Sequence, residues 1–169
     1  MTRTLILTRH TKSSWDTVGM LDQDRPLNAR GRRSARALGE WLRDKGLTPD
    51  QVLCSSARRT RETYERMGFD TAAEVTDDLY LVDANRILRV LSEASGETVL
   101  LLGHNPGIAL FAAEILAAAP DHPKFDIYPT GATLVAHFDI DSWDKIAWRG
   151  GELVAFTVPR DLLDEQTDN

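Results

Sequence analysis

Short apolar runs alternate along this chain with stretches whose apolar positions recur every three or four residues, the pattern of strands interleaved with helices. Residues 4–8, Thr-Leu-Ile-Leu-Thr, form an apolar run rich in strand formers and broken by the pair Arg9-His10, which predicts a first, buried strand. Residues 11–28 hold Gly19, Pro26 and a mixture of polar and charged residues with no sustained period, so a loop is expected there. Beyond Asn28 the apolar positions Ala35, Leu38, Trp41 and Leu42 fall at helical spacing until Gly46. This predicts a helix with Asn28 as N-cap, Gly46 as C-cap and Trp41 on its buried stripe.

The unit then repeats. Residues 51–54 read as a strand, 57–67 as a helix, 72–75 as a short strand and 84–93 as another helix. Thr-Val-Leu-Leu-Leu at 98–102 is the clearest buried strand in the chain, and 106–119 reads as helical. Pro106 suits the first helical position because its missing N–H would be unpaired there anyway, with Asn105 as cap. Residues 132–140 and 152–158 read as strands around a loop containing Gly150-Gly151, an edge hairpin or added antiparallel strands rather than another crossover unit. The alternation implies an α/β fold, a three-layer α/β/α sandwich with a mostly parallel central sheet. One domain over residues 1–163 is expected, followed by a frayed polar tail at 164–169.

With 42% hydrophobic and 27% charged residues, the composition is that of an ordinary globular protein and not of a disordered or fibrous chain. The net charge of −6 argues against a surface that tracks nucleic acid or an anionic membrane, so an anionic substrate must be attracted locally. Cys54 is the single cysteine and has no internal partner, which fits a reducing compartment, the cytoplasm by default. The apolar start is too short for a signal-peptide core, and no run approaches the length that spans a bilayer. A soluble monomer is expected.

Ligands of open α/β sheets bind beyond the carboxyl ends of the strands, and three such ends here carry related chemistry. Arg9-His10 follows the first strand, Ser55-Ser56-Ala57-Arg58-Arg59 the second, and Gly103-His104-Asn105-Pro106-Gly107 the strongest. Two imidazoles and at least one guanidinium beyond Arg9 therefore converge on one edge of the sheet, an anion site with a nucleophile. A neutral imidazole can attack phosphorus, and guanidinium groups are planar, permanently charged donors matched to phosphoryl oxygens. On the helix after Ser56, Arg58 has Glu62 at i+4 and Arg61 has Glu65, so both are expected to be paired on a solvated face; Arg59, with Thr63 at that spacing, is the candidate for pointing inward. Neither His10 nor His104 has a Cys or His at metal-ligand spacing, His122 and His137 lack any such context, and no metal or cofactor is expected. Cys54 is read as a small buried residue, because a cysteine-dependent phosphatase would place Arg where Thr60 stands. Trp15 is equally placed to flank the pocket or to pack under its loop.

Leu7-Thr8-Arg9-His10-Thr11-Lys12-Ser13-Ser14-Trp15, with Asp24-Arg25-Pro26-Leu27-Asn28 and Arg30-Gly31 downstream, resembles the N-terminal signature of the histidine phosphatase superfamily. Cys54-Ser-Ser-Ala-Arg-Arg-Thr-Arg-Glu-Thr63 and Leu102-Gly-His-Asn-Pro-Gly107 resemble two further blocks of that superfamily, so three ordered blocks span most of residues 4–110. The resemblance implies a phosphoglycerate mutase-like fold, a phosphoryl group carried covalently on His10, and Arg9, Arg59 and His104 holding it, with Ser13 adding a hydrogen bond. The small size and the Lys-Ser-Ser-Trp block look most like the short phosphohistidine phosphatase branch. Thr11 stands where the family usually has Gly or Ala, and no residue clearly matches the glutamate that donates a proton in many relatives; Asp77 and Asp78 stand nearest to its position.

These readings lead to a phosphatase working through a phosphohistidine intermediate on His10, with a phosphorylated protein, above all protein phosphohistidine, as its partner. A broad phosphomonoesterase acting on a small phosphorylated metabolite is the alternative enzyme, and a non-catalytic phosphate-binding adaptor domain is the alternative from another class. About forty residues separate Thr63 from His104 and all look committed to core elements, so an open pocket is expected.

Overall fold

Alternation within the strands decides the architecture. On strand β1 (Thr2–Arg9), Leu5 and Leu7 join one apolar cluster and Ile6 joins the other; on β4 (Thr98–Gly103), Val99 and Leu101 face the first and Leu100 and Leu102 the second. A sheet apolar on both faces must be covered on both. One cluster is completed by Leu38 and Leu42 of α1 (Ala29–Asp44) and Tyr64 and Met67 of α2 (Arg58–Met67), the other by Ile87 and Leu91 of α3 (Ala84–Ser92) and Phe111 and Ile115 of α4 (Gly107–Ile115). The expected α/β/α sandwich results. The structure, a computed structural model, describes residues 1–167, with side chains through residue 163.

The six strands run in the order β3-β2-β4-β1-β5-β6, with β2 at Gln51–Ser55, β3 at Ala73–Thr76, β5 at Thr133–Asp139 and β6 at Glu152–Thr157. The pairs β2–β3, β2–β4 and β1–β4 are parallel, while β1–β5 and β5–β6 are antiparallel, as expected of strands added at the end of the chain. Adjacent strands β1 and β4 send the chain to opposite faces, into α1 and α4, which opens a crevice at their carboxyl ends.

Several local expectations change. Asn28 caps α1 through its side chain, which accepts from the Gly31 N–H, but the C-cap is Lys45, with Gly46 one residue beyond at φ +72°. Helix α4 stops at Ile115 instead of running to 119, because Leu116 bridges to Gly151 and the Ala117 N–H donates to the Gly151 carbonyl. Asn105 does not cap α4; Pro106 takes that position, and the Asn105 amide instead donates to the Ile127 and Tyr128 carbonyls. The tail expected to fray from 164 is helical as far as Thr167, in α5 (Pro159–Thr167), whose Leu162 packs on the cluster beneath α1; residues 168–169 lie outside the described residues. No helix among the described residues is long and apolar enough to cross a membrane.

Candidate active site

Register brings the two histidines together. Arg9 pairs with Gly103 across β1 and β4, so His10 and His104 each stand one residue past neighbouring strand ends, and their ring centroids lie 5.4 Å apart. The His10 backbone is fixed on both sides: its N–H donates to the Gly103 carbonyl at 3.2 Å and its carbonyl accepts from Gly131 N–H at 2.9 Å. Gly131 has φ +77°, a conformation that favours glycine.

His10 Nδ1 lies 2.7 Å from the Thr11 carbonyl oxygen. A carbonyl only accepts, so Nδ1 holds the ring proton and Nε2 keeps its lone pair. Burial, reinforced by His104, Arg9 and Arg59, pushes the His10 pKa down to about 3, so the ring is neutral at physiological pH. His104 is likewise lowered to about 3, by burial first and Arg59 second. Its Nδ1 accepts from Arg59 Nη2 at 3.3 Å, which leaves Nε2–H to donate to Ser55 Oγ at 2.7 Å.

Arg59 is 2% exposed and lies in the pocket, whereas Arg58 and Arg61 face solvent. The two expected i+4 pairs are not what turns them outward: Glu62 accepts from Leu27 N–H and faces Arg66 at 3.7 Å, and Arg61 Nε donates to the Ser56 carbonyl. Arg9 Nη1 donates to the Tyr128 carbonyl at 3.2 Å. Buried donors remain without a partner at Arg9 Nε, Arg59 Nε, and Arg25 Nε and Nη1. Buried guanidinium donors in this number fit an oxyanion with several acceptor oxygens. Ser13, 7% exposed, and Trp15 line the same cleft of about 360 Å³.

Thr11 contributes a link. Its N–H donates to Thr63 Oγ1 at 3.1 Å, and that hydroxyl donates to the Arg59 carbonyl at 2.6 Å, tying the loop after His10 to the first turn of α2. A glycine or alanine at position 11 would keep the N–H bond but lose the second contact, between the two hydroxyls at 3.2 Å.

Asp77 and Asp78 are not brought into this cleft. Both sit in the 3-10 turn Asp77–Leu79; Asp78 faces Arg86 at 3.3 Å, and Asp77 accepts from Gln23 at 3.4 Å. The carboxylate that does line the cleft is Asp22, from the 3-10 turn Asp22–Asp24 inside the loop 11–28. Its Oδ2 accepts from Arg59 Nη2 at 3.0 Å and from the Tyr80 hydroxyl at 2.5 Å, and its Oδ1 faces Arg25 at 3.3 Å. Asp22 and Tyr80 carry no strand-end signal, and sequence reasoning passes over them; Arg25 enters it only within the block Asp24-Arg25-Pro26-Leu27-Asn28, with no role assigned. Cys54 is buried at the end of β2 with its thiol pushed up to about 12 by burial, an inert side chain. No group of three or more His, Cys, Asp or Glu side chains that could hold a metal is gathered among the described residues.

A parallel-sheet crevice with two neutral imidazoles and several buried guanidiniums defines a phosphoryl-transfer enzyme of the α/β class. The family model for the histidine phosphatase superfamily (branch 1) matches residues 5–86. An uncharacterized protein of Mycobacterium leprae is 32% identical over 161 residues, covering 90% of this chain and 99% of that protein. A solved structure from Nakamurella multipartitia, provisionally assigned as the phosphohistidine phosphatase SixA, is 32% identical with a TM-score of 0.82, covering 94% of this chain and 97% of that one. Phosphohistidine phosphatase SixA of Escherichia coli is 27% identical over 121 residues, 66% of this chain and 73% of that protein. The chain belongs to the histidine phosphatase superfamily, and it is a phosphatase.

Proposed function

We propose that this phosphatase removes the phosphoryl group from protein phosphohistidine, through a covalent intermediate on His10. The observation that carries the reading is the state of the His10 ring: Nδ1 bonded to the Thr11 carbonyl, pKa about 3, and Nε2 free to attack beside buried guanidinium donors that have no partner. In the first step the Nε2 lone pair forms a bond to phosphorus while the bond to the leaving nitrogen breaks. In the second, water attacks phosphorus, the P–Nε2 electron pair returns to His10, and phosphate leaves. Arg9 and Arg59 hold the oxygens through both steps, with Ser13 beside them, while His104, accepting from Arg59 and donating to Ser55, fixes the Arg59 guanidinium.

A protein substrate is supported by the rim. Trp15 and Leu81, both exposed, line the cleft, and Val18 and Leu21, also exposed, lie on the loop between Trp15 and Asp22. Exposed apolar side chains gathered around a polar pocket suit a macromolecular surface better than a small hydrophilic metabolite. Residues 68–97, where a covering segment would have to be inserted, are used up by β3, a 3-10 turn and α3. The SixA proteins with which this chain aligns carry the phosphohistidine phosphatase name.

Acid-quenched trapping with a labelled phosphohistidine protein tests the intermediate. Label on the enzyme is expected to be alkali-stable, acid-labile and absent from His10→Ala. Undiminished label in that variant would remove His10 from the mechanism.

A further inference from the structure

The cleft has an inner and an outer end. His10 and His104 lie at the inner end, 6% and 3% exposed. In-line attack by a buried Nε2 drives the leaving group away from the nucleophile, toward solvent. On that side stand the Asp22 carboxyl, 44% exposed, and the Trp15 ring, 77% exposed. Asp22 is the one carboxylate among the described residues around this cleft. Its Oδ2 is committed to Arg59 and Tyr80, whereas Oδ1 has only Arg25 Nη2 at 3.3 Å and keeps acceptor capacity. Arg25 also stacks on Trp15, with Cζ 3.5 Å from the ring centroid, so ring and carboxylate are held by one side chain.

We propose that Asp22 and Trp15 form a leaving-group subsite that selects a protonatable aromatic nitrogen, the imidazole of phosphohistidine, over an alkoxide. The proposal rests on the phosphohistidine reading above and names the residues that enforce it. Asp22 Oδ1 accepts a hydrogen bond from the ring N–H of the substrate imidazole that does not carry phosphorus, and so favours the ring with that nitrogen protonated. When the P–N bond breaks, its electron pair stays on the leaving nitrogen and the ring departs as neutral imidazole, its remote N–H intact. No proton has to be delivered during the step. An alkoxide gains nothing there, because it carries no proton to offer and develops negative charge beside a carboxylate. Burial pushes the Asp22 pKa up, but the Tyr80 hydroxyl, Arg59 and Arg25 outweigh it and hold the group below the usual range, so it accepts rather than donates. Trp15 supplies a face on which the flat ring stacks.

The test compares wild type with Asp22→Asn and Trp15→Leu, using a phosphohistidine peptide, a phosphoserine peptide as the alkyl ester, and inorganic phosphate as inhibitor. Losing a charge-assisted hydrogen bond in Asp22→Asn is expected to lower kcat/KM on the phosphohistidine peptide roughly 10- to 100-fold. Phosphate, which has no leaving group, should inhibit the variant at least as well as wild type. Trp15→Leu should raise KM for the phosphohistidine peptide about tenfold or less. Weakened phosphate inhibition in step with the lost turnover would make Asp22 a support for Arg59 only and overturn the subsite. A larger loss on the alkyl ester than on the phosphohistidine peptide would make Asp22 a general acid and overturn it equally, as would an unchanged phosphohistidine rate in both variants. Wild type that turns over the ester and never the phosphohistidine peptide would instead sink the phosphohistidine reading, and the subsite with it.

Discussion

At the scale of single residues, charge inside the cleft is weighted to positive before any substrate arrives. Arg9, Lys12, Arg25 and Arg59 line it against one carboxylate, Asp22, and two histidines kept neutral, a positive surplus that suits a phosphoryl dianion. Arg59 is the hinge of this balance: its two Nη atoms hold the Asp22 carbonyl, the Asp22 carboxylate and His104 Nδ1, while Nε is buried without a partner. Arg59→Ala is therefore expected to lower kcat/KM by on the order of 100-fold or more, the usual cost of losing a donor aimed at developing charge. Arg58→Ala and Arg61→Ala, on the solvent face, should stay within a few-fold of wild type. Comparable losses in all three would mean that burial of Arg59 serves packing alone.

At the scale of elements, the site depends on how closely α1 approaches the loop after His10. A Cβ added at Gly31 would stand 2.1 Å from the Lys12 carbonyl oxygen, so alanine cannot enter without moving the backbone that carries Thr11 and Ser13. Gly39, further along the same helix, meets the Met67 carbonyl oxygen at the same 2.1 Å, but at the end of α2 remote from Arg59. Both alanine variants should lose roughly 1–3 kcal/mol in urea denaturation through overpacking. Gly31→Ala should in addition lose about tenfold or more in kcat, because small misplacements of reacting groups are costly. Equal kcat in the two folded variants would break the link between α1 and the site. His10, His104 and Arg59 are legible in the sequence because they follow buried strands, and a buried strand announces itself as an apolar run such as residues 98–102. Asp22 and Tyr80 are not, since the first lies in a loop with no period and the second beyond a 3-10 turn; only the fold makes them neighbours. Helix α5 is hidden for a similar reason: it begins at Pro159 with a valid first-turn signal, but what holds it is Leu162 against the layer of α1.

At the scale of the whole molecule, the two buried imidazoles couple stability to pH. His10 and His104 have pKa values pushed down to about 3 in the fold, by burial foremost, against an ordinary value of 6.5 in an unfolded chain. Between those values the unfolded chain binds protons that the folded chain refuses, so the stability present above pH 6.5 is lost progressively as pH falls toward 3. From pH 8 to 5 the two together are expected to remove about 4 kcal/mol of unfolding free energy, a large share of what a domain of this size commonly has. Urea denaturation at pH 8, 6.5 and 5 measures it, and His10→Gln and His104→Gln should each flatten the slope by about half. In the native protein the imidazole ring protons of both residues should show no titration by NMR between pH 8 and 5, the range in which Nε2 of His10 stays unprotonated and able to attack. A stability independent of pH across that range, or native ring signals that titrate near 6.5, would show that the site admits charged imidazole and that its neutrality is not what arms the nucleophile.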